Sequence, residues 1–465
     1  MSVIESPRLP EDRRVQADRI QSLLEAGETD GLAELLSELH PSDLADLIEE
    51  LDEETRIAFL ELLPAELASE TLVEMASEER PEELLAALEP ERISELITEL
   101  ADDDAVDLIG ELPLEEQARI LASLPRLEAG ELRRLLQYDE ESAGGIMTTE
   151  LVAVSVHLTA NEAIQEIRRQ AREIGGNFSP VFVVDQLRRL NGTVSLQELV
   201  LAAPSTPLRD LVEPPVATVS VDMDQEEVGR IIARYNIPSV PVVGPDSLLL
   251  GRVTWDDVID VMEAEQTEDI LRLGGVVSEE EVRGRWSDAV RSRLPWLFVN
   301  LGTASIAASV VGIFIDTIES IAVLAVIMPV IAGMGGNSGT QTLAVTVRRL
   351  ALTEESDARR WGVVGKEFLV GVVNGAALGG FVALVSYLLG VLLPDYWPAT
   401  PVLGLVVLLA MWGNLIVASL AGAFVPILLE RLGVDPAIAS SIFVTTLTDL
   451  AGFFLLLGLA SSLLL

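Results

Sequence analysis

The sequence predicts a multidomain membrane protein: an all-α superhelical amino-terminal domain, a duplicated α/β module, a connecting helix and a transmembrane domain of five helices. Three observations carry that reading. Five apolar segments follow residue 293, each long enough to cross about 30 Å of hydrocarbon. A block of short β-branched runs and helices occurs twice in succession between residues 147 and 262. Charge divides the chain as well, since residues 293–465 hold 7 Lys and Arg against 10 Asp and Glu, so nearly all of the net charge of −43 lies ahead of them. The domains expected are 1–140, 141–262, a connecting segment 263–292, and 293–465. An acidic surface of this size repels nucleic acid phosphates and attracts divalent cations, which excludes a nucleic-acid partner. It is equally the surface of a salt-adapted protein, for Lys366 is the one lysine among 31 basic residues. Cysteine is absent, which removes disulfides and thiolate metal sites from consideration. No apolar leader precedes the acidic start, so that end is expected in the cytoplasm.

Residues 14–137 read as short amphipathic helices with apolar positions at i, i+3, i+4 and i+7. Leu44, Leu47, Ile48 and Leu51 form one such stripe, and units restart near Pro41, Pro64, Pro81, Pro90 and Pro113. That spacing predicts stacked helix pairs in a small superhelical array. One unit is strongly acidic, with Asp102, Asp103, Asp104 and Asp107 within six positions. A solvated helix start and a cation-binding cluster both fit it.

After the Gly144-Gly145 hinge the duplication begins. VAVSVHLTANEAI (152–164) parallels VATVSVDMDQEEV (216–228), PVFVVD (180–185) parallels VPVVG (240–244), and GTVSLQELV (192–200) parallels GRVTWDDVI (251–259). Each copy reads as strand, helix, buried strand, strand and helix, which implies a pseudo-twofold pair. This is the pattern of a tandem CBS module, and such modules regulate an attached channel, transporter or enzyme, or simply dimerise. The segment DDVIDVMEAEQTEDILRL (256–273) is a helix carrying Asp257, Asp260, Glu265, Glu268 and Asp269 on one face. Like charges at these spacings destabilise a helix, and a divalent cation bridging it to acids elsewhere would offset them.

The membrane segments fall near 294–315, 321–347, 363–393, 402–429 and 437–465. Basic residues flank the first and occupy the second and fourth connections, whereas the first and third connections carry none, so the amino terminus is expected inside and the carboxyl terminus outside. Tyr396 and Trp397 are expected interfacial anchors. The second segment contains GMGGNSGTQT (333–342), whose amide side chains Asn337 and Gln341 are not explained by close packing of small residues. A broken or pore-lining helix is expected there, with Gly336 and its neighbours exposing backbone. In the last segment FVTTLTD (443–449) places Thr445 one turn before Asp449 on the same face, with Thr446 beside them. A carboxylate at that depth marks an ion or proton pathway. Asn414 in the fourth segment could add an amide. Oxygen ligands without His or Cys favour a hard cation, and one acid per chain suits Mg2+, which keeps several waters. A proton-coupled carrier or exporter using Asp449, and a membrane-anchored sensor that moves nothing, remain open alternatives. No nucleophile, base and oxyanion set is visible, so the chain is not read as an enzyme.

Taken together, the acidic helices, the paired CBS motifs, the acidic connecting helix, GMGGNSGTQ, and VDPA followed by FVTTLTD resemble the MgtE family of magnesium channels across nearly the whole chain. The resemblance implies a homodimer in the inner or plasma membrane that passes Mg2+, and other divalent cations, down their gradient. It gives Asp449 the position of the pore aspartate, sets Asn337 in the glycine-rich pore motif and Asp435 in the turn at the cytoplasmic mouth. It further implies that cytosolic Mg2+ closes the pore through Asp224 and Glu226 of the second CBS repeat, through Asp257, Asp260, Glu265, Glu268 and Asp269, and through Asp103 and Asp107. CBS pairs of this kind also take ATP. Asn236 and Ile315 stand where acids are expected, with Asp316 and Glu319 near the second position.

Overall fold

The computed structural model describes residues 20, 39–76, 79–174, 179–276, 286–352, 357–394, 397–398, 400–434 and 436–465, with the side chains of 173, 269, 288, 351–352, 357–360 and 437–440 excepted. Tyr396, Asp435, the Asp269 side chain and most of 14–38 therefore lie outside the described residues. The chain forms two units, Met1–Glu263 and Ala264–Leu465.

In the first unit, α1 (Pro41–Ile48), α2 (Glu53–Leu62), α3 (Ala65–Val73), α4 (Pro81–Ala87), α5 (Pro90–Glu99), α6 (Asp102–Gly110), α7 (Leu114–Ser123) and α8 (Glu128–Leu135) stack in sequence. Proline sets their boundaries. It opens α1, α4 and α5, where a missing N–H costs nothing, and it forces the preceding Leu63 into extended backbone, which ends α2. The Asp52 carboxylate accepts the Thr55 amide at 3.0 Å and caps α2. Leu44, Leu47, Ile48 and Leu51 are all buried, as the helical period requires.

The duplication is visible in the sheets. Strand β1 (Ala153–Ser155) runs parallel to β2 (Val181–Val184), which pairs antiparallel with β3 (Leu190–Val194), with α9 (Ala160–Ile174) between the first two. The second copy repeats this with β4 (Val219–Ser220), α11 (Gln225–Tyr235), β5 (Ser239–Val243) and β6 (Leu249–Thr254), and α10 (Leu196–Leu201) closes the first. Even the register shift recurs, at Val183/Val184 and Val242/Val243. The two copies differ in what they pack against. The first has its own core around Val154, Val181 and Val194, whereas Val228, Ile232, Val242 and Val253 of the second share one continuous core with the helices of 41–135. Gly144 and Gly145 sit inside this packing rather than in an open hinge: a Cβ would lie 2.7 Å from Val221 Cγ2 at the first and 2.4 Å from the Asp139 carbonyl at the second.

Helix α12 (Trp255–Leu273) begins in the first unit and ends in the second, where Leu273 packs on Leu343 and Val347. The second unit otherwise consists of α13 (Trp286–Ile313), α14 (Ile315–Ser320), α15 (Val323–Leu352), α16 (Asp357–Leu392), α17 (Pro401–Arg431) and α18 (Pro436–Leu463). Among the described residues five helices are long and apolar enough to cross a membrane: α13, α15, α16, α17 and α18. Helix α17 is the hub, packing on α15, α16 and α18. Gly371, Gly375 and Gly379 line the α16 face against it, and a Cβ on each would come within 2.9, 2.8 and 2.9 Å of its atoms. Small residues at this spacing let two membrane helices touch backbone to backbone. Helix α15 is continuous through 333–342, so of the two forms expected of the glycine-rich run, a broken helix or a pore-lining one, the broken one does not occur.

Candidate functional sites in the two units

The run 333–342 divides α15 into two faces. Gly335 and Gly339 face the bundle, because a Cβ would stand 2.3 Å from Asn414 Nδ2 at the first and 2.5 Å from Val444 Cγ1 at the second. Thr342, Leu343 and Thr346 continue that buried face. Gly333 and Gly336 have open space where a Cβ would be, and Asn337, Thr340 and Gln341 are exposed beside them. Bundle packing therefore accounts for two of the glycines and leaves the amides on an uncovered face.

On α18, Val444 and Thr448 are buried against α15. Thr445 and Asp449, each one position further on, form the next stripe, with Thr445 exposed and Asp449 half-buried. Thr446 donates to the Ile442 carbonyl at 2.7 Å and Thr448 to the Thr445 carbonyl at 2.9 Å, so their hydroxyls are engaged within the helix. Asn414 stands apart from these exposed groups. It is fully buried between α15 and α18, its Nδ2 donates to the Ile331 carbonyl at 3.0 Å, and its Oδ1 has no partner.

The structure adds a residue that sequence reading passed over. Glu367 on α16 is buried, accepts the Thr342 hydroxyl at 3.3 Å and lies 3.4 Å from Lys366 Nζ. It falls inside the third apolar segment, and a search for every ionisable residue within the predicted spans, rather than for the deepest one, would have found it.

In the first unit, α6 and the start of α12 bring acids together. Asp102 is fully engaged, accepting the Thr148 hydroxyl at 2.7 Å, the Thr149 amide at 3.0 Å and the Thr149 hydroxyl. Its neighbour Asp103 is 7% exposed, and its Oδ1 has no partner. Burial, with Asp104, Asp257 and Asp102 adding repulsion, raises the Asp103 carboxyl well above the usual range. The same combination of burial and the charge of Asp257 and Asp256 pushes Asp104 up to about 7. Although the Asp107 side chain reaches the surface, crowding by protein atoms and then Asp104 and Asp257 push it up to about 7 as well. Glu150 is pushed to about 7 by burial and by Asp102. Asp257 is raised by burial despite accepting from the Thr254 hydroxyl and amide, and Asp260 is raised by burial, Glu263 and Glu74.

The remaining predicted acids are placed differently. Asp224 caps α11 by accepting the Glu226 amide at 2.9 Å, and Glu226 pairs with Arg230 one turn on. Glu268 pairs with Arg272 within α12, and Glu265 lies half-buried on the same helix. Asn236 ends α11 in the left-handed region at φ 50°, a conformation Asn tolerates better than an acid-bearing longer side chain. Asp316 and Glu319 are exposed on α14. Among the described residues no three acidic or histidine side chains stand close enough to grip a bare metal. The oxygen-only donor set fits a hard, hydrated ion instead.

Comparison with known proteins joins these parts. A family model described as "Divalent cation transporter" matches residues 328–459, one described as "MgtE intracellular N domain" matches 39–141, and the CBS domain model matches 143–205 and 208–264. The chain is 39% identical over 334 residues to the magnesium transporter MgtE of Enterococcus faecalis and 39% identical over 341 residues to that of Thermus thermophilus, with 72% of this chain and 72% of the relative covered in each case. A crystal structure of the soluble part of a magnesium transporter superposes with a TM-score of 0.50 at 32% identity, covering 54% of this chain and 99% of the other.

Proposed function

The chain belongs to the MgtE family, a family of transporters rather than enzymes, and from that premise we propose that it is a Mg2+ channel closed by cytosolic Mg2+. Permeation is assigned to the uncovered polar faces of α15 and α18. A partly hydrated Mg2+ needs outer-sphere oxygens more than a tight cage, and Asn337, Gln341, Thr445 and Asp449 supply amide, hydroxyl and carboxylate oxygens of that kind. Two copies of the chain would bring two Asp449 side chains to one ion. The cytoplasmic placement of the acidic unit follows from the distribution of Arg and Lys between the spans.

The observation that carries the gating half is the Asp103 carboxylate, enclosed beside Asp257 with one oxygen unsatisfied. An arrangement this short of positive charge is held together better with a divalent cation than without one. Mg2+ therefore shifts the population toward the state in which α6 and α12 lie together, and depletion lets them part. Asp103, Asp104, Asp107, Asp257 and Asp260 are assigned to this cluster. Asp224 and Glu226 already have local partners, so they are assigned the weaker share.

Flux of Mg2+ into liposomes, measured against internal free Mg2+ with no proton gradient, tests both halves. The reading requires flux without a pH difference, a fall in flux as internal Mg2+ rises, and a loss of at least about tenfold for Asp449→Ala. Unchanged transport in that variant removes the pore site, and flux that stops when a pH difference is collapsed gives the carrier reading instead. An arm with ATP on the cytosolic side tests whether a nucleotide at the CBS pair moves the closing concentration.

A further inference from the structure

We propose that Arg252 is an internal counter-cation of the cytosolic acid cluster, placed to hold α6 and α12 together when no metal is bound and to share their carboxylates with the metal when one is. This rests on the gating reading above and adds to it a residue that opposes repulsion from within the protein. The placement is fixed by backbone. Arg252 and Thr148 exchange N–H to carbonyl hydrogen bonds at 2.9 Å in both directions, and Thr148 is the residue that Asp102 of α6 clasps. Two residues beyond Arg252, Thr254 donates to Asp257 at the start of α12. The guanidinium thus originates between the two acidic helix starts, and with 7% of the residue exposed it has little access to bulk water.

The surrounding charges complete the argument. The charges acting most strongly on Asp103, Asp104 and Asp107 are all negative. Those acting on Arg252 are Asp103, Asp256, Glu150 and Asp257, of which Asp256 and Asp257 also act on the α6 acids and Asp103 is one of them. A buried guanidinium is tolerated only among anions, and it stays charged at every physiological pH. One fixed positive charge amid several negative ones leaves a net deficit that a divalent ion fills. It also keeps the metal-free arrangement from being driven wholly apart, so residue 252 sets how much closure remains at zero Mg2+.

Limited proteolysis of α12 in the full-length protein in detergent, with EDTA and with saturating Mg2+, tests this on Arg252→Gln and Arg252→Lys. In EDTA, Arg252→Gln is expected to be cleaved at least about fivefold faster than the parent, the low end of an ordinary coupling between sites. In saturating Mg2+ its rate should match the parent, which also shows that the variant is folded, and Arg252→Lys should stay near the parent in both conditions. Equal EDTA rates for parent and Arg252→Gln overturn the proposal. So does faster cleavage of the Gln variant by the same factor with and without Mg2+, which marks a packing role, and so does a Lys variant as impaired as the Gln one. Parent rates that ignore Mg2+ defeat the gating reading itself, an outcome distinct from any of these.

Discussion

Thr342 and Glu367 show what a single polar contact does where water is scarce. The carboxylate is buried on α16 and the hydroxyl reaches it from the packed face of α15, one residue past Gln341. Interhelical hydrogen bonds in membranes contribute about 0.6–1.7 kcal/mol, less than the cost of desolvating a carboxylate left without partners. A double-mutant cycle of Thr342→Val and Glu367→Gln, read as unfolding free energy in detergent, should therefore give a coupling of about 0.5–2 kcal/mol. Additive effects would mean that the bond contributes nothing. Glu367→Ala should be worse than Glu367→Gln, since only the latter keeps an acceptor for Thr342. Sequence pattern pointed to Asp449 because it stands alone in its span, and it passed over Glu367 because that residue lies near the start of the third apolar segment rather than at its centre. Asn414 shows the converse: hydropathy locates an amide at membrane depth but not the direction it faces, and here it wedges between helices with only its Nδ2 bonded.

The two faces of α15 separate packing from function at the level of the helix. Adding a methyl at Gly339 drives it to 2.5 Å from Val444, and overpacking of this kind costs about 1–3 kcal/mol, whereas the Cβ of Gly336→Ala meets nothing within 4 Å. Gly339→Ala should lower the thermal stability of the detergent-solubilised protein, and Gly336→Ala should leave it unchanged within error. Gly336→Ala should nevertheless alter Mg2+ flux, because its methyl enters the face that carries Asn337. The 3.6-residue period makes both groupings readable in the sequence. It does not say which face a neighbouring helix covers, and this is why a broken helix looked attractive when a continuous one suffices. Helix α12 was legible for a different reason, since an acidic stripe on a helix asks for a counter-charge whatever the surroundings. Its acidic neighbours on α6 are far off in the chain, which no local pattern announces, and Arg252, three residues ahead of α12 on β6, is set beside α6 only by its backbone pairing with the distant Thr148.

Across the whole first unit, the helices of 41–135 and the second CBS repeat share one apolar core, with the acid cluster alongside at α6, β6 and the start of α12. The duplication and the helical stack were each evident from periodicity, but their fusion was not, because a shared core depends on which of two near-identical repeats the helices choose. The fusion makes cluster ionisation a property of the unit's stability. Asp104, Asp107 and Glu150 titrate at about 7 when folded, against ordinary values of 3.8, 3.8 and 4.5. Below about pH 4 both the folded and the unfolded chain hold these protons and the repulsion is absent. From there to about pH 7 the unfolded chain binds fewer protons than the folded one, so stability falls as pH rises, and above that range the loss is complete. Glu166, held at about 2 by Arg169 and Gln170, works in the opposite sense, but its contribution is lost only as pH falls toward that value. Between pH 5 and 8 the raised groups therefore dominate. In EDTA the melting temperature of the first unit's transition in the full-length protein should fall across this window, and saturating Mg2+ should flatten the profile by replacing the protons with metal. Asp104→Asn combined with Asp107→Asn should flatten it without Mg2+, because a neutral amide carries neither the proton nor the repulsion. A profile that rises with pH in EDTA, or one that is equally steep in the double variant, would show that these carboxylates do not hold the unit's charge balance.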